Sequence, residues 1–407
     1  MNADSTIQIT IIHPFTLSEA KIGGVETFIK DFVRRAPDFF DIRLIGITAD
    51  RATHLPGEWY NEKIGPKSCS FFPVLYVPDP NKRTRFPLSL KFVLGLFRYR
   101  KTLQPILNNS IVDFHRIESG LPFIRSPFHR VAFLHVDRKD LLHPDSETKW
   151  KQFRLLHSLV EKPILHSMDR IVSVTNKGVE IYRKRYPKLG DRISFMPTWV
   201  DNAIFHLLSP EQTRREREIL GKELGLDKRD IAILFAGRFE GQKNPELLLE
   251  SFALALRKRP ELVLLLAGRG SLESRMRGLA GELGIESRVH FLGQRSREYL
   301  ARLANISSLF LMTSSFEGMP IALLEAMACG LPAVTTIVGE TGLIVRDGKN
   351  GRLVADAGKE AIGEAIIEVL SSPKLYGREK VAASIQPYYI DAALAPLYQM
   401  HRELSHE

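Results

Sequence analysis

Short apolar runs separated by polar segments dominate the first half of the chain. The run Ile7–Ile12 is rich in β-branched residues and ends at His13-Pro14, as is typical of a strand buried on both faces. Residues 25–34 then carry apolar positions at helical spacing. Further strand-like runs, with helical patterns between most of them, lie at 42–47, 111–114, 131–135 and 170–174. This alternation predicts a doubly wound parallel sheet.

The same pattern starts again in the second half, after a polar segment at 220–227 that we expect to be a loop. Strand-like runs follow at 231–236, 262–267, 289–292, 309–312 and 333–335. We therefore predict an α/β protein with two Rossmann-like, doubly wound domains, residues 1–200 and residues 201–385. The helical pattern within 386–407 predicts a C-terminal helix that packs back on the first domain.

The composition excludes several classes of protein. With 407 residues, of which 44% are hydrophobic and 26% charged, the chain is neither disordered nor fibrous. Its two cysteines, Cys69 and Cys329, lie far apart, which argues against a disulfide scaffold or a zinc module and is typical of a reducing cytosol. Neither a signal peptide nor a run of about 20 apolar residues is recognisable, so we expect a cytoplasmic protein without a membrane span. The formal net charge of +10 favours an anionic partner, although a solvated basic surface explains it equally well.

One segment combines a strand end, a glycine turn and two acids. The run 309–312 leads into Ser-Ser-Phe-Glu-Gly at 314–318, and Pro320 suits the first turn of a helix because it has no N–H to leave unpaired. Free N–H groups at the start of that helix favour an anion at the carboxyl edge of the sheet. Glu317 and Glu325 flank this position, where carboxylates suit the vicinal hydroxyls of a ribose or hexose. The alternative is that Glu325 caps a local backbone group or pairs with a basic residue.

Two basic residues lie at the end of an earlier strand. The run 231–236 ends in Gly237-Arg238, and Lys243 follows at the entrance of the next helix. The planar guanidinium group of Arg and the point charge of Lys both suit a diphosphate leaving group. A pair of solvated surface charges is the alternative. Gly268-Arg269-Gly270 follows the next strand, but Glu273 stands where a dinucleotide fingerprint needs a small residue.

The first predicted domain offers fewer candidates. Gly23 and Gly24 form a turn before a helix that carries Glu26, and His135 with Asp137 follows a strand. A histidine at a strand end is more often structural than catalytic. The sequence contains no P-loop, no His-Glu-x-x-His and no Asp-x-Asp pair, and the last absence argues against a metal-bound sugar nucleotide.

Together these motifs resemble the retaining glycosyltransferases of family 4, which have the two-domain GT-B fold. The resemblance is strongest over residues 190–356, where Glu317 and Glu325 stand in the run Ser-Ser-Phe-Glu-Gly-Met-Pro-Ile-Ala-Leu-Leu-Glu-Ala-Met-Ala-Cys-Gly-Leu-Pro. It extends to Gly237-Arg238, Lys243, 291–293 and 350–354, and more faintly to 23–26, His135, 172–175 and 197–201. One departure lies at 339–343, where Gly-Glu-Thr-Gly-Leu replaces the family's Gly-Gly-x-x-Glu.

The resemblance implies two domains that face a cleft, with neither metal nor cofactor. It implies that Glu317 holds hydroxyls of the donor sugar, that Glu325 holds those of the ribose, and that His135 contacts the sugar near the reacting carbon. Arg238 and Lys243 then neutralise the departing diphosphate, so the implied catalytic residues are Glu317, His135, Arg238 and Lys243. The remaining donor-binding positions that it implies are mostly glycines and turn residues: Gly23, Gly24, Gly237, Gly293, Gly318, Met319, Pro320 and Glu325.

An apolar helical stretch at 87–107 follows Lys82, Arg83 and Arg85. Basic and aromatic residues beside an apolar helix suit an anionic membrane and a lipid-linked acceptor, although ordinary packing on the first sheet is the alternative. We therefore expect a retaining, metal-independent hexosyltransferase at the inner face of the plasma membrane. It is expected to move a hexose from a UDP- or GDP-sugar to a saccharide, lipid-linked acceptor in surface polysaccharide or glycolipid biosynthesis, with no nucleic acid as partner.

Two other classes of protein stay open at this point. An NAD(P)-dependent oxidoreductase can have two Rossmann domains, but it needs an intact Gly-x-Gly-x-x-Gly and an acid about 20 residues later. A non-catalytic carbohydrate- or nucleotide-binding protein can keep the same fold without turnover.

Overall fold

The computed structural model describes residues 6–17, 24–80, 86–135, 154–356 and 358–407. The chain divides into two compact units. Unit 1 comprises Met1–Pro197 and Ala393–Glu407, and unit 2 comprises Thr198–Ala392. Each unit is built around its own sheet of mostly parallel strands.

The described part of unit 1 contains an eight-stranded sheet in the order β3-β4-β2-β1-β5-β6-β7-β8. Its strands are β1 Ile7–Ile12, β2 Phe40–Thr48, β3 Tyr60–Ile64, β4 Lys67–Tyr76, β5 Ile111–Phe114, β6 Arg130–Leu134, β7 Arg170–Ser173 and β8 Ile193–Phe195. The helices that accompany them are α1 Gly24–Arg35, α2 Leu88–Leu107, α3 Arg154–His166 and α4 Asn176–Arg185. Neighbouring strands pair in parallel except β3, which is antiparallel to β4. The central strands read as apolar runs because helices cover both faces of a parallel sheet.

The hairpin β3–β4 was not predicted from the sequence. β3 has the sequence Tyr-Asn-Glu-Lys-Ile, and its exposed residues Asn61 and Lys63 alternate with partly or fully buried ones, as is usual for an edge strand with one face in water. Gly65 closes the turn with a φ of 62°, a backbone conformation that glycine adopts without steric cost. The hydrophobic signal of a short, polar edge strand is therefore weak.

The described part of unit 2 contains a six-stranded, fully parallel sheet in the order β11-β10-β9-β12-β13-β14. Its strands are β9 Ile231–Ala236, β10 Leu262–Ala267, β11 Val289–Gly293, β12 Leu309–Met312, β13 Ala333–Thr336 and β14 Gly351–Val354. Its helices are α5 Pro210–Leu224, α6 Pro245–Lys258, α7 Glu273–Glu282, α8 Arg297–Ile306, α9 Ile321–Ala328, α10 Thr341–Ile344, α11 Lys359–Ser371 and α12 Arg378–Ser384. All six residues of β10 are buried, which explains its uninterrupted apolar sequence.

The prediction of a loop at 220–227 is wrong, because α5 continues to Leu224. The Ser209 side chain accepts from the N–H of Gln212, whose side chain accepts in turn from the N–H of Ser209, so a capping box starts the helix. Gly225 ends it with a φ of 68°. Charged residues cover most of α5, and only Leu220 and Gly221 are buried, so the apolar periodicity is too weak to read from the sequence.

The last helix of the chain is α13, Ile390–Leu404. Its residues from Ala393 onward belong to unit 1. Tyr398 donates to the carbonyl oxygen of Phe32 on α1 at 3.1 Å, and the His401 ring lies against Phe32 and Phe40. None of the helices in the described ranges combines the length and apolar character that crossing a bilayer needs.

Candidate functional site

Two turns lie where the strand order of the unit 2 sheet reverses. Residues 237–244 follow β9, and residues 313–320 follow the neighbouring strand β12. Ligands of open α/β sheets bind outside the carboxyl ends of the strands at such a reversal. The topology therefore points to these two turns as the candidate site.

Hydrogen bonds join the two turns directly. The N–H of Ser315 donates to the carbonyl oxygen of Gln242 at 2.8 Å, and the Gln242 amide donates to the carbonyl oxygen of Phe316 at 3.0 Å. The Thr313 hydroxyl donates to the carbonyl oxygen of Lys243 at 3.1 Å. The turn that carries Lys243 is thus held in register with the turn that carries Glu317.

Lys243 and Glu317, two of the predicted site residues, are in contact. Lys243 Nζ lies 2.5 Å from Glu317 Oε1, and the Ser314 hydroxyl donates to the same oxygen at 2.7 Å. Glu317 is 7% exposed, so its charge needs these donors. Among the described residues, no hydrogen-bond donor contacts the second oxygen, Oε2, which leaves it available to a ligand.

The loop after β13 packs on the same turn. The N–H of Glu340 donates to the carbonyl oxygen of Gly318 at 2.9 Å. Gly339 has a φ of 51°, and a Cβ there would lie 2.1 Å from the carbonyl oxygen of Gly318 and 2.3 Å from that of Glu317. The close approach requires glycine at position 339, which the chain keeps where it departs from the family pattern.

The start of α9 follows this turn. Met319 and Pro320 are buried, and the Thr198 hydroxyl donates to the carbonyl oxygen of Met319 at 3.2 Å. Gly318 is partly exposed and lies three residues before Ile321, the first residue of α9. The first N–H groups of a helix lack intrahelical acceptors, so this position can stabilise an anion.

Glu325, within α9, pairs with a basic residue. Its Oε1 lies 3.4 Å from Arg297 Nη2 at the first position of α8, and its side chain is 13% exposed. The alternative that the sequence left open, a pairing of Glu325 with a basic residue, is therefore realised. A ribose bound by Glu325 has to share or displace this contact.

Glycines line the carboxyl edge of the sheet. The N–H of Gly237 donates to the carbonyl oxygen of Ala267 at 3.0 Å, and the N–H of Gly268 donates to that of Gly293 at 2.9 Å. A Cβ on Gly268 would lie 1.8 Å from the carbonyl oxygen of Gly237. The glycines after β10 are thus explained by packing between loops, without a dinucleotide. Arg238 follows Gly237, and its side chain is exposed.

In unit 1, His135 hydrogen-bonds a second histidine. His115 Nδ1 lies 2.8 Å from His135 Nε2, and Glu26 Oε1 lies 3.6 Å from His13 Nε2 nearby. Burial, with the positive charge His13 would carry, lowers the pKa of His135 to about 3, and burial lowers the pKa of His115 well below its usual value. Both rings are therefore neutral at physiological pH.

Of the other residues predicted in the first domain, the structure describes only some. Gly24 is the first residue of α1, whereas Gly23 and Asp137 lie outside the described residues. Sequence reasoning missed Arg297 and His115, whose partners lie at least 20 residues away in the chain, and also Ser314, although it stands three residues before Glu317 in the same motif. Across the described ranges, no three His, Cys, Asp or Glu side chains are grouped so that they could hold a metal ion.

Comparison with known proteins finds a family match within the second unit. Residues 216–384 match the family model of glycosyl transferases group 1. The chain is 30% identical over 233 residues to the D-inositol 3-phosphate glycosyltransferase of Mycolicibacterium gilvum, a match over 56% of this chain and 50% of that protein. The chain thus spans about half the length of such curated relatives.

Solved structures show the fold of the whole chain. Sucrose-phosphate synthase from Thermosynechococcus elongatus superposes with a TM-score of 0.78 at 20% identity, over 98% of this chain and 99% of that one. Anabaena HepE in complex with UDP-glucose superposes with a TM-score of 0.69 at 17% identity, over 97% and 98% of the two chains. The predicted α/β fold of GT-B type, with two parallel-sheet domains, is confirmed.

Proposed function

We propose that this chain, whose residues 216–384 belong to the glycosyl transferases group 1 family, transfers a hexose from a UDP- or GDP-sugar with retention of configuration. The observation that carries the proposal is the contact of Lys243, Glu317 and Ser314 at the reversal of the unit 2 sheet. A cation, a buried carboxylate and a helix N-terminus at one sheet edge suit a ligand that carries both phosphates and hydroxyls.

In this proposal the diphosphate lies against the two basic residues and the start of α9. Lys243 and Arg238 supply positive charge, and the free N–H groups after Gly318 add the partial charge of the helix end. Lys243 pairs with Glu317, which holds the cation beside the proposed diphosphate. Gly237 and Gly293 leave the carboxyl edge of the sheet open to the nucleotide.

The hydroxyl groups of the donor are assigned to the acids. We assign the sugar hydroxyls to Oε2 of Glu317, and the ribose hydroxyls to Glu325 within α9. His135 of unit 1 contacts the sugar near the reacting carbon, and Gly24 allows close approach of the backbone there.

The proposed reaction breaks the bond between the anomeric carbon and the diphosphate oxygen. Positive charge then develops on the sugar and negative charge on the leaving phosphate, where Arg238 and Lys243 stabilise it. The acceptor hydroxyl attacks from the face that the phosphate leaves, and its proton passes to a phosphate oxygen. A new glycosidic bond forms with retention, and neither a carboxylate nucleophile nor a metal is needed.

For the acceptor we propose a lipid-linked saccharide at an anionic membrane, which α2 approaches. The helix buries Phe92 and Leu96 in the core of unit 1, but three apolar residues on its opposite face are largely exposed: Leu90 at 45%, Leu94 at 60% and Phe97 at 45%. We call these three the apolar stripe. Spacings of four and three residues place them on one face of the helix.

Basic residues continue from the apolar stripe toward the end of α2. Arg98, Arg100 and Lys101 are all exposed. An apolar face beside cations is the pattern of a helix that lies in the interface of an acidic membrane. This supports a peripheral position at the inner face of the plasma membrane, and packing on the sheet accounts only for the opposite face of α2.

The test is a thermal-shift screen with UDP-, GDP- and ADP-sugars, followed by an assay for release of the nucleoside diphosphate. We expect one nucleotide sugar to raise the melting temperature and to be consumed when a saccharide acceptor is added, with activity that survives EDTA. Binding with no diphosphate release for any acceptor would identify a non-catalytic binding protein instead. Stabilisation by NAD(P) and by no sugar nucleotide would identify an oxidoreductase.

A further inference from the structure

Four polar side chains gather at the carboxyl ends of neighbouring strands in unit 1. His13 follows β1, His115 follows β5, His135 follows β6, and Glu26 lies in the first turn of α1. His13, Glu26 and His115 are each no more than 5% exposed. Polar groups buried to this degree cost stability unless they are hydrogen-bonded, so their arrangement calls for an explanation.

The His115 ring is held on three sides. It stacks on Phe133 with a centroid distance of 4.4 Å and an angle of 3° between the ring planes. It lies beside His135 and nearly in the same plane, with the ring centroids 5.1 Å apart and 18° between the planes, while Phe28 meets both histidine rings edge-on. The hydrogen bond of 2.8 Å between His115 Nδ1 and His135 Nε2 completes the arrangement. Rotation of either ring breaks this bond.

The hydrogen bond between His115 and His135 restricts where the protons of the two rings lie. A neutral imidazole carries one N–H, and the hydrogen bond between the two rings uses one proton. If His115 donates, His135 Nε2 accepts and the proton of His135 lies on Nδ1. If His135 donates from Nε2, its Nδ1 carries a lone pair. In either case the bond gives His135 Nδ1 one defined role, as a donor or as an acceptor.

We infer that His115 is a positioning residue, which holds His135 in one orientation and couples the tautomer of His135 to its own through the Nδ1···Nε2 hydrogen bond. The catalytic consequence rests on the proposed function, in which His135 meets the donor sugar. A hydroxyl of that sugar finds either a fixed donor or a fixed acceptor, and the ring pays no cost to reorient. The tautomer itself does not depend on the proposed function and is measured without a substrate.

Nitrogen NMR of ¹⁵N-histidine-labelled protein tests the tautomer. The signals of His135 are assigned by their loss in His135→Asn. We expect the tautomer populations of His135 in His115→Leu, which keeps the bulk but removes the bond, to differ from those in the unmodified protein. Phe28→Leu is the matched control, because it removes a ring contact and keeps the hydrogen bond. An unchanged His135 tautomer in His115→Leu overturns the inference.

Steady-state kinetics test the consequence. His115→Leu is expected to lower kcat by about threefold to tenfold, the effect of losing an ordinary hydrogen bond, with a nearly unchanged KM for the nucleotide sugar. His115→Asn, whose amide takes roughly the place of Nδ1, is expected to restore most of kcat. If His115→Leu does not fold, His115→Gln replaces it, because its longer side chain moves the amide away from His135.

A purely structural role predicts a different result: a lower melting temperature for His115→Leu with unchanged kcat per folded molecule, and no recovery in His115→Asn. That outcome overturns the inference. If the unmodified protein turns over no nucleotide sugar, the proposed function fails, while the NMR result still decides whether His115 sets the tautomer of His135.

Discussion

His401 and Asp113 form a buried ion pair within unit 1. His401 Nε2 lies 3.0 Å from both carboxylate oxygens of Asp113, and His401 Nδ1 lies 2.8 Å from the carbonyl oxygen of Leu397. Carboxylate and carbonyl oxygens only accept hydrogen bonds, so both ring nitrogens carry a proton and the ring is an imidazolium ion. Burial lowers the pKa of His401, but the charge and hydrogen bonds of Asp113 outweigh it, and the pKa is raised. The pair joins α13 to β5.

Breaking this pair is expected to destabilise unit 1. His401→Leu leaves the Asp113 carboxylate buried without its partner, which costs about 3–5 kcal/mol in comparable cases. The double variant His401→Leu/Asp113→Leu is expected to melt at a higher temperature than the single variant, since no unpaired charge stays behind. Thermal melting measures both, with His406→Leu as an exposed control. A double variant no more stable than the single one would contradict the ion-pair assignment.

The buried histidines make the stability of the folded protein depend on pH, and His401 acts in the opposite direction to His115 and His135. The pKa values of His115 and His135 are lowered in the folded chain, that of His135 to about 3, so their contribution is present above about pH 6.5 and is lost as the pH falls through the folded values. The pKa of His401 is raised, so its contribution is complete below about pH 6.5 and is lost as the pH rises through the folded value.

Melting temperature measured between pH 8 and pH 4 checks this. We expect a steep loss on the acid side, up to about tenfold in the unfolding equilibrium per pH unit for each histidine that cannot protonate when folded. His135→Asn is expected to flatten the acid limb, whereas His401→Leu is expected to flatten the alkaline one. Identical profiles for His135→Asn and the unmodified protein would refute the first assignment.

Most of the core strands and the region of the site can be predicted from the sequence, and each of these predictions has a physical reason. Strands such as β10 are apolar throughout because parallel sheets are covered on both faces. β3 and α5 escape prediction because an edge strand and a highly charged helix bury few residues, whereas the buried apolar run of β4 contains Pro73, which argues against an inner strand. Lys243 and Glu317 were expected together, since both follow strands of one parallel sheet. Arg297 was not expected beside Glu325, because only tertiary packing brings α8 to α9.

Donor affinity is expected to depend on charge in unit 2. Lys243→Ala and Glu325→Ala each remove a charge-assisted contact in the proposed site, which costs about 1.5–3 kcal/mol, or roughly ten- to a hundredfold in affinity. Titration calorimetry with the nucleotide sugar found in the screen measures the loss. Lys258→Ala is the matched control, because Lys258 is an exposed lysine at the far end of α6. Unchanged affinity in both site variants would remove the assignment of this site.

Membrane binding is expected to depend on the apolar stripe and its basic neighbours. The protein should co-sediment with vesicles that contain acidic lipid at low salt and dissociate as salt rises, because screening shortens the range of charge attraction. The triple variant Arg98→Ser/Arg100→Ser/Lys101→Ser is expected to weaken the part of vesicle binding that salt removes. Leu90→Ser/Leu94→Ser is expected to weaken the part that salt does not remove.

Leu375→Ser is the matched control for the apolar part, because Leu375 is 48% exposed but lies in unit 2. Equal sedimentation with neutral and acidic vesicles would exclude the electrostatic contribution. Equal sedimentation of Leu90→Ser/Leu94→Ser and Leu375→Ser would exclude docking through α2.

The assignment of Glu317 to the sugar predicts a separation between catalysis and binding. A contact that tightens as the sugar ring flattens toward an oxocarbenium ion acts mostly in the transition state. Glu317→Ala is therefore expected to reduce kcat far more than it weakens binding of the nucleoside diphosphate, which has no sugar. Glu325→Ala is expected to do the reverse, because substrate and product both carry the ribose. His135→Ala is expected to behave like Glu317→Ala.

A purely structural role of Glu317 is a competing explanation for a loss of kcat in Glu317→Ala, and the same experiment must exclude it. Glu317 Oε1 also accepts hydrogen bonds from Lys243 and Ser314, so its removal can disorder the turn without any direct role in the reaction. Ser314→Ala is the control, because it removes one hydrogen bond to the same oxygen and leaves the carboxylate in place. We expect Ser314→Ala to lower kcat much less than Glu317→Ala at a similar fall in melting temperature. A Glu317→Ala protein with near-native kcat, whatever its melting temperature, would overturn the catalytic assignment, since the carboxylate would then serve only to hold Lys243.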